Sequence, residues 1–317
     1  MVNIIFYKED NDGVFSAAII RHYLVAEQGI PEDNIKMFPS TYASLEDEMD
    51  NGGLKDLVSK STRTYMTDIS FNDPKKQRWF CSQKNTVWID HHAPAIKTSI
   101  KEKYDDVPGE RATDRSAILL AYKYFYDPLD EQWRSDNLPY GLLMLSCWDS
   151  WTYKEHGISR EEAQSFNIGV NNKYNVDFDN VFNDIRLWID DIIDIDKIKE
   201  DGKLILGYMD KQNASLIESS GDLSWYVDGR KACAIFTQGP SNSVMFNSIK
   251  DKVDNGIVFK RNKSGSWGIS LYNTNDGDEF HCGEYMKKKY NGGGHSGAAG
   301  GSVSEREFIK LLKEKRL

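Results

Sequence analysis

The feature that most limits the fold is an alternation within the first 150 residues. Short β-branched and aromatic runs, "NIIFY", "TYMTDIS" and "NTVWIDHH", are separated by segments with helical spacing, "VFSAAIIRHYLVAEQG", "DRSAILLAYKYFYDPL" and "PYGLLMLSCWDSWTY". Buried strands alternating with helices predict an α/β domain, a mostly parallel sheet with helices on both faces. In such sheets ligands collect outside the carboxyl ends of the strands. Asp10, Asp12, Asp68, Asp90 and His91 all fall at or just past predicted strand ends. Acids far apart in sequence are therefore expected on one rim.

Beyond residue 175 the pattern changes. Residues 176–220 are helical and highly charged, with apolar residues at spacings of three and four, and read as a connector. Strand-like runs come next, "KACAIFT", "NGIVFKR" and "WGISLYN", and the tail "EREFIKLLKEKRL" reads as an amphipathic helix. The expected organisation is a first domain over 1–175, the connector over 176–220, and a smaller α/β domain over 221–317. A chain of 317 residues is long enough for two cores.

Composition narrows the class. Apolar residues at 39% and charged residues at 28% fit a soluble globular protein, and no apolar run approaches the roughly 20 residues of a membrane span. The first residues, "MVNIIFYKEDNDG", lack the basic start of a secretory signal. Cys81, Cys147, Cys233 and Cys282 form no CxxC pair, which predicts free thiols and a cytoplasmic setting. The net charge of −9 offers no footprint for long nucleic acid, so a phosphate ligand should be short.

Five segments carry chemistry. In "KEDNDG", Asp10 and Asp12 are two apart and point to one side of an extended segment. Gly13 permits a tight turn, and the helix after it offers unpaired N–H groups; an acidic helix cap explains the same residues. Asp68 in "MTDIS" ends a strand or caps the next segment. Asp149 interrupts an apolar helix between Trp148 and Trp151, where a buried carboxylate is costly unless hydrogen-bonded, paired or metal-bound. "DHH", residues 90–92, supplies carboxylate and imidazole, ligands for Mn²⁺ or Zn²⁺, or else a pair of surface histidines. "NGGGHSGAAGG", residues 291–301, sets Gly292, Gly293 and Gly294 before His295, a pattern suited to close backbone approach and phosphate-holding nests.

Taken together these segments resemble the DHH phosphoesterase superfamily. "DNDG", Asp68, "DHH" and Asp149 match that family's four metal-binding motifs in order, and "GGGHSGAAGG" matches the signature of its DHH-associated C-terminal domain. The resemblance runs from residue 4 to about residue 305. It implies two domains with the active site in the cleft between them, two Mn²⁺ ions (or Mg²⁺), and hydrolysis by a metal-activated water. It further implies that Asp10 and Asp68 hold the first metal and that Asp12, Asp68, His91 and Asp149 hold the second. Asp90 would stand behind these ligands, His92 would orient the phosphate, and Gly292–His295 would hold the far end of the substrate. Arg111 and Ser116 are weaker candidates for phosphate contact; for Arg111, exposed charge near a helix start is the simpler reading.

One position departs from the family. Its first motif usually reads H-x-D-x-D-G, and Lys8 stands where that histidine would be. An ammonium has no lone pair for a metal. Three outcomes are open: Glu9 or water fills the gap, one metal binds more weakly, or Lys8 contacts the substrate phosphate in that metal's place. The expected activity is a phosphodiesterase that converts short oligonucleotides, or linear or cyclic dinucleotides, to nucleoside monophosphates. The alternatives are a 3′-phosphoadenosine phosphate phosphatase, an exopolyphosphatase or pyrophosphatase, and a non-catalytic protein that sequesters nucleotide. Neither the monomer nor the homodimer is favoured.

Overall fold

A computed structural model describes residues 2–127, 138–239, 241–275, 280–290 and 292–317. The chain divides into two compact units, Met1–Gly202 and Lys203–Leu317. The first runs β1 (Asn3–Lys8), α1 (Asn11–Ala26), β2 (Ile35–Ser40), α2 (Tyr42–Asp50), α3 (Gly53–Lys60), β3 (Arg63–Thr67), α4 (Pro74–Cys81) and β4 (Thr86–Ile89). It continues through α5 (Ala93–Glu102), α6 (Ala117–Tyr126), α7 (Tyr140–Ser150), α8 (Arg160–Tyr174) and α9 (Phe178–Ile189) into α10 (Ile195–Ser220). Pro128, read from the sequence as the stop for α6, lies outside the described residues.

The four strands are all parallel, in the order β2-β1-β3-β4. Their side chains alternate between two cores, as the period of two in a strand requires. Ile5, Tyr7, Tyr65, Val87 and Ile89 pack with α1 and α6–α9. Ile4, Phe6, Met66 and Trp88 pack on the other face with α2, α3 and α4. From β1 the chain goes to β2 on one side, then crosses to β3 on the other. The strand order thus reverses between β1 and β3, and the carboxyl ends of these two strands flank the opening.

Two expectations change. β2 was not legible as a strand because Pro39 interrupts it and its residues alternate in exposure; an edge position tolerates both. The segment 176–220 is not one free connector. The α9 stripe of Val181, Ile185 and Trp188 is buried in the first core, and the Trp188 ring meets Phe15 edge-on at 4.9 Å. Its Nε1 donates to the Tyr174 hydroxyl at 3.0 Å. The division between units falls within α10, whose far end gives Ile217 to a core of the second unit.

The second unit holds β5 (Asp222–Val227), β6 (Arg230–Phe236), β7 (Asn255–Arg261), β8 (Trp267–Asn273), α11 (Cys282–Tyr290), β9 (Gly293–Gly294), β10 (Ala298–Val303) and α12 (Glu305–Glu314). Its sheet order is β5-β6-β7-β8-β10-β9, antiparallel except for the parallel pair β6–β7. The amphipathic tail is α12, started by a Ser304/Glu307 capping box and anchored by Phe308 stacked on Trp267 at 3.8 Å. Among the described residues no helix is long and apolar enough to cross a membrane. If α9 belongs to the first core, Trp188→Ala should destabilise that unit by about 3–5 kcal/mol in chemical denaturation. A cost near zero would instead mark α9 as a detachable connector.

Candidate metal centre

β1 delivers Lys8 to the rim, and Asp10 caps α1 by accepting from the Gly13 amide at 3.1 Å. The helix begins at Asn11, so Asp12 and Gly13 lie in its first turn rather than in a separate loop. A β-carbon on Gly13 would stand 2.2 Å from the Lys8 carbonyl oxygen, so glycine lets α1 start this close to the strand. Asp12 turns inward and is buried. Its two oxygens accept from the amides of Ala117 and Ile118, both at 2.8 Å, in the first turn of α6. That helix start supplies unpaired N–H groups and a favourable dipole, which orient the carboxylate.

Asp68 lies just past β3 with φ +56°, a left-handed conformation uncommon outside glycine, while its amide donates to the Ile89 carbonyl at 3.0 Å. The turn aims its side chain back across the end of the sheet. At the end of β4, Asp90 Oδ1 accepts from the amides of His91 (2.8 Å) and His92 (3.1 Å) and faces His92 Nδ1 at 2.7 Å. Asp149 comes from the last turn of α7.

These pieces converge on two cations. His91 Nε2 lies 3.2 Å from Asp68 Oδ1, 3.3 Å from Asp149 Oδ2 and 3.4 Å from Asp12 Oδ2. Lys8 Nζ lies 2.8 Å from Asp10 Oδ2 and 3.6 Å from Asp68 Oδ2. Asp68 stands between them, one oxygen toward each. Both of its oxygens, and Oδ2 of Asp149, are buried and accept no hydrogen bond of normal geometry among the described residues. Leaving such groups unsatisfied is costly, and a divalent cation would satisfy them. One ligand atom each from Asp12, Asp68 and His91 lies within 4.8 Å of the others, as do atoms from Asp68, Asp90 and His92. Carboxylate with imidazole suits Mn²⁺ or Zn²⁺, and the oxygens alone suit Mg²⁺. The residues fit one such ion at Asp12, Asp68, His91 and Asp149.

The electrostatics result from burial and crowding. Burial raises the Asp12 carboxyl pKa, with Asp149 adding to the rise and His91 opposing it. Burial also pushes Asp68 well up, against the pull of Lys8. Asp10 behaves oppositely: burial opposes its ionisation, but Lys8 holds it down at about 2. Burial would lower His91, yet Asp68, Asp149 and Asp12 together push it up to about 10. Lys8 stays an ammonium, since Asp68 and Asp10 outweigh its own burial. Asp90 is held low by His92 despite burial.

The remaining candidates of the first unit serve the scaffold. Arg111 is not an exposed charge; its backbone pairs with Asp90 in a parallel bridge, while its guanidinium is used by main-chain carbonyls. Its Nη1 donates to the Trp88 carbonyl at 2.8 Å, and its Nη2 to those of Val107 (2.8 Å) and Asp105 (2.9 Å). It fastens the loop before α6 to β4. Ser116 is buried at the start of α6, and its amide donates to Ser146 Oγ at 3.0 Å. The rings of His91 and His92 lie 4.6 Å apart, tilted by 59°; both approach Asp68 Oδ1, at 3.2 and 3.8 Å, and His92 is nearer to Asp90.

In the second unit, Gly293 and Gly294 form β9, a hairpin with β10. Gly294 has φ +144°, and a β-carbon there would meet the Ala298 carbonyl oxygen at 2.5 Å. The carbonyls of Ser296 and His295 accept from the first amides of α11 at 2.9 Å each, and the amides of Gly292 and His295 are bonded within the unit. The glycine run thus has a packing reason of its own. Asn291 lies outside the described residues.

Sequence reasoning missed a pocket of about 250 Å³ beside Asp12 and Asp149, lined also by Asn11, Trp148, Asn167 and Asn171. Asn11 Nδ2 donates to Asn171 Oδ1 at 2.9 Å and to Asn167 Oδ1 at 3.2 Å. The available signal was the i, i+4 spacing of Asn167 and Asn171 on one helix face. Glu9 lies on the rim of this pocket, exposed, and joins neither His91 nor Lys8.

The His91 and Asp68 shifts have the same consequence for stability. The pKa of His91 rises on folding from 6.5 to about 10, so its contribution is complete below pH 6.5 and is lost as pH rises toward 10. Asp68, also raised, likewise favours the folded state less as pH rises through its folded pKa. Protein stripped with chelator should therefore show a Tm that falls between pH 6.5 and about 9. Bound Mn²⁺ should flatten that slope by displacing the His91 proton. A flat profile in chelator would contradict this assignment of charge.

No protein-family model matches the chain, and no curated protein sequence matches it. Solved structures do. A DHH domain from a member of a ribosomal protein family superimposes with a TM-score of 0.63 at 15% identity, covering 99% of this chain and 85% of that one. An exopolyphosphatase-related protein from Bacteroides fragilis gives 0.54 at 14%, covering 99% and 91%. A pGpG-specific phosphodiesterase from Vibrio cholerae gives 0.51 at 11%, covering 99% and 97%. The strand order, the acids at the ends of β1 and β3, the Asp-His-His at the end of β4 and these superpositions agree: the chain has the fold of the DHH-domain proteins.

Proposed function

We propose that the chain is a metal-dependent phosphoesterase that hydrolyses short oligonucleotides or linear or cyclic dinucleotides to nucleoside monophosphates. One observation carries the reading: the two buried oxygens of Asp68 accept no hydrogen bond of normal geometry among the described residues, and Asp68 stands with Asp12 and Asp149 around His91 at the end of the sheet. The phosphodiesterase and exopolyphosphatase-related descriptions of two structural neighbours support the same chemistry. The acidic net charge and a pocket of about 250 Å³ favour a short ligand. None of the four cysteines is in a disulfide, which suits the cytoplasm as the proposed setting.

A divalent cation, Mn²⁺ in this reading, would be held by Asp12, Asp68, His91 and Asp149 and would supply Lewis-acid polarisation and a water of lowered pKa. The α6 amides hold Asp12 in place for that duty. Asp90 accepts from two amides and faces His92 Nδ1, which orients that ring for its proposed contact with a phosphoryl or leaving oxygen. Protonated His92 would donate to that oxygen. Gly292–Gly294 and His295 are the proposed substrate-holding segment of the second unit.

Nucleotide sequestration without turnover is the second reading, favoured by Lys8 standing between Asp10 and Asp68. A panel of 5′-phosphorylated dinucleotides and pentanucleotides, cyclic dinucleotides, 3′-phosphoadenosine phosphate and pyrophosphate separates the two readings. With Mn²⁺, wild type should release monophosphate from the diesters, and His92→Ala should be slower by about 100-fold or more. Stoichiometric binding with no product would favour sequestration.

A further inference from the structure

We propose that the Lys8 ammonium takes the place of one divalent ion, so that the centre holds a single metal beside a fixed cation. This rests on the metal-dependent reading above and specifies how many ions it needs. The family resemblance assigns a first ion to Asp10 and Asp68. In this structure Lys8 Nζ already bridges those two residues, 2.8 Å from Asp10 Oδ2 and 3.6 Å from Asp68 Oδ2. Paired divalent ions stand about 3.5–4 Å apart, and an ion on these oxygens would share its position with the ammonium. A lysine nitrogen carrying three protons has no lone pair to offer it. Glu9, which the sequence offered as a replacement ligand, is exposed on the rim of the neighbouring pocket.

The two sides of Asp68 are thus differentiated. Oδ1 faces His91, with Asp12 and Asp149 close by, where imidazole and carboxylate atoms can surround one ion. Oδ2 faces Lys8. Asp10 accepts the Gly13 amide on Oδ1 and the ammonium on Oδ2, so both of its oxygens are engaged without a metal. Lys8 keeps about a quarter of its side chain exposed, at 27%. It is therefore both anchored by carboxylates and accessible to a phosphoryl oxygen. In the proposed arrangement it would neutralise charge on the substrate phosphate, and a single ion held by Asp12, Asp68, His91 and Asp149 would supply the water of lowered pKa.

Counting ions tests this without any assay of turnover. Chelator-stripped wild type and Lys8→His would be titrated with Mn²⁺ by calorimetry, with electron paramagnetic resonance on the loaded samples and circular dichroism to verify folding. Wild type should take up one Mn²⁺ per chain with an uncoupled six-line spectrum. Lys8→His, which restores a neutral nitrogen ligand, should take up two and show an exchange-coupled signal. Two ions in wild type would overturn the proposal while leaving the phosphoesterase reading intact. One ion in folded Lys8→His would overturn the role given to Lys8. No ion in wild type would overturn both the proposal and the metal-dependent reading beneath it.

Discussion

The arrangement depends on the buried carboxylate of Asp68. It leaves β3 in a left-handed conformation, at the point where the strand order reverses, and its two oxygens face opposite cations, Lys8 and His91. Each neighbouring acid is placed relative to it: Asp10 on the lysine side, Asp12 and Asp149 on the histidine side. Burying a carboxylate there costs desolvation that its two cationic neighbours offset without hydrogen bonds of normal geometry. Backbone strain and a buried carboxylate at one residue, at the carboxyl end of a parallel sheet, are the features on which the proposed binding site rests.

The surrounding structure makes that cost tolerable. Asp12 is held by two amides of α6 and Asp10 by an amide of α1, so two helix starts stabilise negative charge on either side. Asp90 Oδ1 is engaged by two amides and His92. Within this cluster the buried oxygens without a hydrogen bond of normal geometry are both of Asp68, Oδ2 of Asp90 and Oδ2 of Asp149. The cluster is thus built from ordinary caps and turns around carboxylate oxygens that lack hydrogen bonds of normal geometry.

Much of this was legible in the sequence, and the exceptions have physical causes. The buried strands β1, β3 and β4 announce themselves because both faces are covered, so their apolar runs are continuous. The edge strand β2, with Pro39 inside it, carries no such signal. The acids could be placed on a common rim because parallel strands end together. Their partners could not: nothing near Asp12 in sequence shows that Ala117 and Ile118, more than 100 residues on, supply its hydrogen bonds. Arg111 reads more simply as exposed charge than as a phosphate contact, and its actual partners are main-chain carbonyls, which no residue pattern reveals. The glycine run suggests close backbone approach in the sequence, and the hairpin shows where that approach occurs, with no room for a β-carbon at Gly294. Lys8 was visible as a departure from the family, but only the geometry shows it bridging Asp10 and Asp68.

The most direct test of the central claim is crystallographic. Crystals soaked in Mn²⁺, with anomalous data collected at the manganese edge, should show density bounded by Asp12, Asp68, His91 and Asp149, with Lys8 still against Asp10. An anomalous map with no peak at His91, or with its peak between Asp10 and Asp68 and Lys8 displaced, would contradict the account.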